Sequence, residues 1–322
     1  MKMEDMKFNA RTFARLGEAG SIFGLAAPAW HDKYNLVCLS ADMTTRAGLD
    51  RFRKAYPNDF YNAGIAEQNL LGMAAGLTSE GYKSVCTAQA CFLTMRSCEP
   101  MRQYMGYMGL PIVLVGLSAG LALQFLGNTH YAIEDIAITR SIPNMYVFSP
   151  ADAGMAVKIF EKALELNIPA YIRLTQGLMP PIVYKEDFLY NPFKINEVFN
   201  GGNDVTILAT GSMVYPSIQS AELLKNEGIC CRVLDVHCIK PLDKETIVNA
   251  LNSKLLVSVE EHTIVGGLGS AIAEVLSENI NSPRLLRLGI NDCFSTVGDY
   301  QYLLQQHRLT PELIAEDIRK NV

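Results

Sequence analysis

The first half of the chain alternates short apolar runs with longer segments of helical periodicity. Apolar residues three and four positions apart predict helices over 66–79, 93–107 and 151–166. The short runs predict buried strands, and they are NLVCLS (35–40), YKSVCTA (82–88), PIVLVGL (111–117), NMYVFS (144–149) and PAYIRL (169–174). Strands and helices that alternate in this way are typical of a parallel α/β sheet. Ligands are expected at the carboxyl ends of such strands.

The alternation stops in a segment rich in Pro and Gly and then restarts. Strands are predicted at DVTILAT (204–210), CCRVLDV (230–236), LLVSVEE (255–261) and PRLLRLG (283–289). Helices are predicted over 214–226, after Pro241 and over 269–278. The fold class is therefore α/β, with two domains built on mainly parallel sheets. We expect a first domain over 1–180, a linker over 181–202 and a second, smaller domain over 203–322.

Composition narrows the class of protein. Of the 322 residues, 49% are hydrophobic and 19% charged, with a formal net charge of -5, which is typical of a globular protein. Lys and Arg are scattered, which argues against nucleic-acid binding. The apolar segment 110–126 is interrupted and shorter than the roughly 20 residues that cross a bilayer, so we expect no membrane association.

Cysteine and histidine usage points to a reducing compartment. The eight cysteines lie mostly in strand-like apolar runs, without a C-x-x-C pair and without a secretory signal ahead of them. This predicts reduced core cysteines in a cytoplasmic protein. The five histidines share no metal-ligand spacing with them, so no metal site is expected in this chain.

One carboxylate stands in unusually apolar company. The stretch FYNAGIAEQNLLGMAAGL (60–77) places Glu67 among residues that cover most of a helix circumference with apolar side chains. Glu67 is either a first-turn residue favoured by the helix dipole or a buried group that holds and passes a proton. Helix physics leaves both interpretations open.

Two further motifs also have two interpretations each. GGLGS (266–270) follows a strand and enters a helix, so it either binds a phosphate or serves close packing. GNTH (127–130) places His130 in a polar loop, where a histidine is either a surface residue or a functional one.

The motifs, taken in order, resemble those of the C-terminal half of transketolase. They are YNAGIAEQNLLGMAAGL, CFLTMRSCEPMRQ, GNTHYAIEDIAITRSIPNMYVFSPAD, DVTILATGS, RVLDVHCIKPLD and VSVEEHTIVGGLGSAIAEVL. The likeness runs from about 35 to 319 and is greatest to the separate C-terminal subunit of enzymes that are split into two chains. It implies a pyrimidine-binding domain, then a transketolase C-terminal domain, and a two-carbon ketol transfer that uses thiamine diphosphate.

The resemblance assigns roles to individual residues. Glu67 matches the glutamate that hydrogen-bonds the aminopyrimidine ring and shifts it to the imino tautomer, which removes a proton from the thiazolium carbon. Burial among Ile65, Leu70 and Leu71 would allow its carboxyl to share a proton near neutral pH. The other matches are Phe92, stacking on the aminopyrimidine; Asp42, near the cofactor at the subunit interface; and His130, contacting the substrate oxygen. Gln89 also lies near the pyrimidine, but it replaces an aromatic residue of the family.

The chain lacks the motif that holds the cofactor diphosphate in the family. That motif is G-D-G. The chain has a single Gly-Asp pair, Gly298-Asp299, which is followed by Tyr300 and lies in the second domain. The resemblance therefore implies a partner subunit that carries G-D-G and a downstream Asn and binds the diphosphate with Mg²⁺ or Ca²⁺. It also implies a dimer of heterodimers, and inactivity of this chain without its partner.

The substrate-binding positions depart from the family pattern. Leu126 replaces an aspartate that reads a sugar hydroxyl, while Ser118, Gln176 and Met95 replace groups that bind phosphate in sugar-phosphate members. Each lost charge-assisted contact is worth about 1.5 to 3 kcal/mol. We therefore expect a substrate other than a standard pentose phosphate, or one held mainly by the partner. Arg46, where the family has a small hydroxylic residue, supplies one cation in return.

Two other functions remain open at this point. The first is a thiamine diphosphate enzyme that uses a 2-oxo acid, similar to deoxyxylulose-phosphate synthase or to the beta subunit of a 2-oxo-acid dehydrogenase. The apolar Phe125 and Leu126 suit a less hydroxylated substrate of this kind. The second is a scaffold subunit without activity, against which the retention of Glu67, Phe92 and His130 argues.

Overall fold

The computed structural model describes residues 7–175 and 180–322, which form two parallel-type sheets flanked by helices. The strands are β1 Leu36–Ser40, β2 Phe60–Asn62, β3 Lys83–Gln89, β4 Val113–Leu117, β5 Tyr146–Phe148, β6 Ala170–Arg173, β7 Asn196–Asn200, β8 Val205–Ala209, β9 Cys231–Asp235, β10 Cys238–Lys240, β11 Leu255–Thr263 and β12 Arg284–Ile290. The helices of the first domain are α1 Ala10–Ser21, α2 Ala27–Tyr34, α3 Thr44–Ala47, α4 Asp50–Ala55, α5 Glu67–Ser79, α6 Ala90–Met95, α7 Cys98–Met101, α8 Asp135–Ser141 and α9 Ala153–Leu166. Those of the second are α10 Val214–Asn226, α11 Lys244–Asn249, α12 Leu268–Ser277, α13 Tyr300–Gln306 and α14 Pro311–Arg319.

The first sheet has the strand order β10-β5-β6-β4-β3-β1-β2. Its strands pair in parallel except β10, which pairs antiparallel with β5. All five strands predicted for this half of the chain are present. Apolar residues cover both faces of the sheet, because helices pack on each side. The α/β fold class with two domains is confirmed.

Two elements of the first sheet escaped the sequence pattern. Strand β2 is short and half exposed, and β10 comes from the sequence of the second domain, after β9. Neither forms a long apolar run, because each lies at an edge of the sheet. Strand β10 joins the two domains through backbone hydrogen bonds.

The single helix predicted over 93–107 is wrong. The segment is divided into α6, α7 and a π-helical turn, Arg102–Tyr107. Pro100 lies in the first turn of α7, where its missing N–H costs nothing. Its ring would clash with the carbonyl of Arg96 if the preceding helix continued, which separates α6 from α7.

The second sheet has the order β12-β11-β8-β9-β7, and only β7 is antiparallel. Strand β7 lies inside 181–202, the segment predicted as a linker, and its side chains are partly or fully exposed. It therefore lacks the apolar run that identified the buried strands. The boundaries at 180 and 203 stay a prediction.

The N-terminal helices belong to the first domain. Helix α1 packs against α9, and a π-helical turn, Ile22–Ala26, leads from α1 into α2. Helix α1 is kinked at Gly17, whose φ of 71° is left-handed. Within the described residues no helix has the length and apolarity that a membrane crossing demands. The eight cysteines are free, and most of them are buried.

Candidate active site at the strand ends of the first sheet

Polar side chains gather at the carboxyl ends of the parallel strands of the first sheet. Asp42 follows β1, Asn62 ends β2 and Gln89 ends β3. The Asn62 side-chain oxygen accepts hydrogen bonds from the backbone N–H of Asp42 (3.1 Å) and of Gly64 (3.0 Å). This holds the exposed Asp42, whose φ is 57°, beside the turn that leads into α5.

Glu67 is the first residue of α5 and is only 5% exposed. The first-turn position and the burial that the sequence suggested are therefore both present. Leu70 and Leu71 are fully buried nearby, but Ile65, which we expected to bury the carboxyl, is 76% exposed. That part of the prediction is wrong, because Ile65 precedes the helix and points away from its buried side.

The partner of Glu67 is a residue that the sequence did not indicate. Both carboxylate oxygens of Glu67 lie 3.2 Å from Nη1 of Arg96, in the segment between α6 and α7. The Arg96 side chain is 48% exposed. Its guanidinium carbon lies 3.8 Å from the centroid of the Phe92 ring, a cation–π contact. A planar cation thus contacts both groups that the resemblance assigns to the aminopyrimidine.

His130 completes this group of side chains. Its ring lies 5.2 Å from that of Phe92, centroid to centroid, at an interplanar angle of 66°. The Nδ1 atom of His130 is 2.9 Å from the hydroxyl oxygen of Thr129. Glu67, Arg96, Phe92 and His130 therefore form one continuous chain of contacts, which we call the strand-end cluster.

The cluster fits a flat nitrogen heterocycle such as an aminopyrimidine. Glu67 offers a carboxylate, and Phe92 offers an aromatic face. The side-chain oxygen of Gln89 is buried and has no hydrogen-bond partner among the described residues. A buried acceptor without a partner is costly, so a donor such as an exocyclic amino group would satisfy it. These three residues are the ones that would hold the pyrimidine end of thiamine diphosphate.

A cleft of about 630 Å³ opens between α1 and the carboxyl ends of β4 and β6. The residues that line it include Arg46 and Ser118, which were predicted from the sequence as substrate-binding positions. Arg15 and Arg51 also line it, although the sequence did not identify them. Gln176, another predicted substrate residue, lies outside the described residues. The cleft is thus lined by three arginines from separate elements.

Two exposed apolar side chains lie on the loop that leads to His130. Leu126 is 52% exposed and Phe125 is 71% exposed. Met95, where family members carry a phosphate-binding group, is 48% exposed. These side chains provide contact area, and none of them carries a charge to bind an anion.

The GGLGS turn is closed to phosphate. The backbone N–H groups of Leu268 and Gly269, at the start of α12, donate to the carboxylate of Glu260 at 2.7 and 2.8 Å. A Cβ atom on Gly267 would overlap this carboxylate. The glycines therefore let Glu260 approach the helix, which favours the packing interpretation. In the part of the chain that the structure describes, no group of three or more His, Cys, Asp or Glu side chains could hold a metal ion.

Comparison with known proteins agrees with this geometry. The family models of the transketolase pyrimidine-binding domain and of the transketolase C-terminal domain match residues 24–181 and 195–314. The chain is 36% identical over 282 residues to the 6-deoxy-6-sulfo-D-fructose transketolase subunit SqwH of Clostridium sp. (strain MSTE9), covering 87% of this chain and 86% of that protein. It is 35% identical over 283 residues to a subunit of the apulose-4-phosphate transketolase of Phocaeicola vulgatus, covering 88% and 90%.

Solved structures and longer relatives show how much of each related protein this chain covers. A structure described as a split gene transketolase, inactive beta4 tetramer, has a TM-score of 0.81 at 36% identity and covers 98% of each chain. The 1-deoxy-D-xylulose-5-phosphate synthase of Caldanaerobacter subterraneus subsp. tengcongensis is 35% identical, but the match spans 50% of that protein. The chain therefore belongs to the transketolase family and corresponds in extent to its split subunits.

Proposed function

We propose that this chain is the C-terminal subunit of a thiamine diphosphate-dependent enzyme that transfers a two-carbon ketol unit between carbohydrate-like substrates. The strand-end cluster is the observation that carries the proposal. It brings together Glu67, Phe92 and His130, which come from three different segments. Gln89, whose side-chain oxygen has no hydrogen-bond partner among the described residues, directly precedes the helix that carries Phe92. When bound, thiamine diphosphate supplies the carbon nucleophile that cleaves the bond next to a ketose carbonyl.

Each residue of the cluster has a separate task. Glu67, held in the first turn of α5, hydrogen-bonds the pyrimidine ring nitrogen and shares a proton with it. Phe92 orients the ring by stacking, and Gln89 accepts from the exocyclic amino group. Asp42 lies at the subunit interface near the cofactor. His130 donates to the substrate oxygen whose charge changes during transfer, which lowers the barrier electrostatically.

The enzyme requires a second chain. A partner subunit with the G-D-G motif and downstream Asn holds the diphosphate through Mg²⁺ or Ca²⁺, because the residues of this chain provide for the pyrimidine end only. The active form is a cytoplasmic dimer of heterodimers with the cofactor between the two kinds of subunit. A relative described as an inactive beta4 tetramer supports the idea that this half of the enzyme is insufficient without the other.

The substrate is a ketose with an anionic distal end that differs from a standard pentose phosphate. The cleft offers the guanidinium groups of Arg15, Arg46 and Arg51, whereas the positions of Ser118 and Leu126 lack the family's charged groups. Cations from other elements would bind the anion in another place or orientation. Phosphate and sulfonate share this chemistry, and relatives are named for substrates of each kind.

The test is to purify the chain with its partner, thiamine diphosphate and Mg²⁺, and to assay two-carbon transfer. Ketose phosphates, sulfonated ketoses and unphosphorylated ketoses serve as donors. We expect transfer only by the complex, with an anionic donor preferred. Turnover restricted to ordinary pentose phosphates would refute the altered substrate pocket, and turnover by the chain without its partner would refute the shared site.

A second candidate function is transfer from a 2-oxo acid, as in deoxyxylulose-phosphate synthase. The exposed apolar Phe125 and Leu126 on the loop to His130 favour it. The same complex should then release carbon dioxide from pyruvate in the presence of an aldose acceptor. Absence of that release, with ketol transfer present, would exclude this alternative.

A further inference from the structure

The segment that carries His130 is a long loop between β4 and α8. Gly120 and Ala132 exchange backbone hydrogen bonds of 2.9 and 3.1 Å, which close the base of the loop. Between them the tip, with Phe125 and Leu126, is exposed. We call residues 120–132 the His130 loop. Its base is packed, because Leu121 and Tyr131 are buried against Ile290 and Leu303 of the second domain, whereas the exposed tip has few contacts to hold it.

The inner anchor of the loop is a carboxylate from the second domain. Glu261, at the end of β11, is 1% exposed, and its Oε1 accepts a hydrogen bond of 2.7 Å from the backbone N–H of Leu121. Its Oε2 accepts hydrogen bonds from the hydroxyls of Ser212 and Tyr300. A Cβ atom at position 120 would overlap Oε1, so only glycine permits this approach.

The backbone of Glu261 is tied to the other end of the loop. The buried Arg173 donates from Nη2 to the carbonyl oxygen of Glu261 (2.8 Å) and to that of Ala132 (3.1 Å). Asp135 holds the same guanidinium through Nε at 2.8 Å. A charge-assisted network with these bonds satisfied is rigid. Both ends of the loop are thus connected to Glu261, one end directly and the other through Arg173.

An outer anchor acts nearer the tip. The Asn128 side chain donates to the carbonyl of Ser295 (2.7 Å) and accepts from the N–H of Ser295 (3.0 Å). The Tyr131 hydroxyl donates to the carbonyl of Gln124 within the loop and lies 3.2 Å from the carbonyl oxygen of Thr296. The residues of the strand-end cluster belong to the first domain, yet the loop that completes it is fixed by the second.

We propose that Glu261 is a positioning residue of the active site: by holding Leu121, it sets the place of His130, and the second domain thereby controls ketose binding. This inference rests on the proposed function, since it presumes that His130 contacts the ketose. The carboxylate itself lies too deep to touch a substrate. Burial raises the pKa of Glu261, and its hydrogen-bond donors oppose that shift.

The chain supplies a matched control in the adjacent residue. Glu260 is also a fully buried glutamate that accepts backbone N–H groups, but its donors are Leu268 and Gly269 of its own domain. A change at Glu260 therefore removes buried hydrogen bonds of the second domain without removing a contact to the His130 loop. Any effect shared by both positions is one of stability.

The experiment compares Glu261→Met, Glu261→Gln, Gly120→Ala and Glu260→Met in the complex with the partner subunit. Methionine has a similar size but cannot accept from Leu121, whereas the glutamine oxygen can accept and its amide can donate to Ser212 and Tyr300. Gly120→Ala pushes the loop away from Glu261 from the other side. The measurements are kcat and KM for the ketose donor, proton exchange at the thiazolium carbon, and Tm.

We expect Glu261→Met and Gly120→Ala to raise KM for the ketose and to lower kcat/KM about 10- to 100-fold, because a small displacement of a substrate-contacting group costs this much. Proton exchange at the thiazolium carbon should stay within about twofold, since that step belongs to Glu67. Glu261→Gln should recover most of the lost kcat/KM. Glu260→Met should lower Tm and leave KM unchanged.

The proposal fails if KM is unchanged in both loop-facing variants, or if glutamine at 261 rescues nothing. Should Glu261→Met not fold, Gly120→Ala decides the matter by the same criterion. A wild-type complex without ketol transfer would instead refute the proposed function. Hydrogen–deuterium exchange of residues 120–132 would then still show whether Glu261→Met frees the loop, and unchanged protection there would overturn the anchoring.

Discussion

Glu67 and Glu260 are both buried glutamates beside the first turn of a helix, one in each domain, and their surroundings differ in kind. Glu260 accepts two backbone N–H groups at 2.7 and 2.8 Å. Among the described residues, the only hydrogen-bond donor to the Glu67 carboxylate is Arg96, at 3.2 Å, through a side chain that is half exposed. One carboxylate is fully committed to the fold, whereas the other is held by a group that can move.

This difference separates a structural carboxylate from an available one. The N–H groups at the start of α12 are satisfied by Glu260, so that strand end has no capacity left for a ligand. At the corresponding edge of the first sheet, Glu67 and the Gln89 oxygen keep acceptor capacity. Because both glutamates are buried, burial does not tell a structural carboxylate from a functional one. The hydrogen-bond partners of the carboxylate do distinguish the two.

The largest expected effect is on catalysis at Glu67. Glu67→Gln should lower ketol transfer by about 100- to 10,000-fold, the range of a lost proton-transfer group. Proton exchange at the thiazolium carbon, followed by NMR in the complex, should slow in parallel. The paired Glu260→Gln should keep activity within about threefold, because it contacts nothing in the strand-end cluster. Near-normal proton exchange at the thiazolium carbon in Glu67→Gln would mean that Glu67 does not act in catalysis and does not differ from Glu260 in this respect.

The cleft lined by Arg46 should discriminate between substrates by charge. Arg46→Ser should lower kcat/KM about 10- to 100-fold for an anionic ketose, as expected for one charge-assisted contact. For an uncharged ketose the change should stay within about twofold. Lys54→Ser is the control, since Lys54 is an exposed cation of α4 that does not line the cleft. Equal losses for charged and uncharged ketoses would remove Arg46 from anion binding.

A change at Glu260 should alter how the stability of the protein depends on pH. Burial raises the pKa of Glu260 to about 7. The folded protein holds this proton more tightly than the unfolded chain, so the contribution is full below pH 4.5 and is lost as pH rises to 7. Glu260→Gln cannot titrate. Its free energy of unfolding relative to wild type should therefore rise by about 3 kcal/mol between about pH 4.5 and 8 in urea titrations.

A nearby histidine titrates with the opposite sign and is common to both proteins. Burial lowers the pKa of His262 to about 4, so its contribution to stability is lost as pH falls from 6.5 to 4. His262 remains in the variant, but its Nδ1 lies 3.7 Å from Oε2 of Glu260, so the difference between the two pH profiles reports both groups below about pH 6.5 and Glu260 alone above it. A flat difference would mean that the carboxylate is no more costly to bury charged than neutral.

The sequence predicted those parts of the molecule that local patterns encode. Buried central strands such as β1 and β4 form apolar runs, and Glu67 is conspicuous among apolar neighbours. Edge strands β7 and β10 have no such run, because one side of each is not covered by another strand. Their places depend on pairing with distant segments, which periodicity does not record.

The missed site residues are long-range in the same sense. Arg96 meets Glu67 across 29 positions of sequence, and Glu261 meets Leu121 across 140. Arg15 and Arg51 reach the cleft from helices that flank the sheet. Motif resemblance identified groups that contact ligands in the family. It gave no signal for groups that act on those residues from elsewhere in the fold.

The smallest effect is expected for a change at Arg96. It tests whether the Glu67 carboxylate is free to bind the cofactor. Arg96 pairs with both Glu67 oxygens and covers the Phe92 ring, so a heterocycle that uses these two groups must displace it. An ion pair whose cation is half exposed, together with a cation–π contact, is worth about 1 kcal/mol. Arg96→Met should therefore lower the half-saturating concentration of thiamine diphosphate about fivefold in the complex, as measured by activity titration, while the control Arg102→Met leaves it unchanged. If Arg96→Met instead needs more cofactor, Arg96 contributes to binding, and Glu67 is as firmly committed to its partner as Glu260.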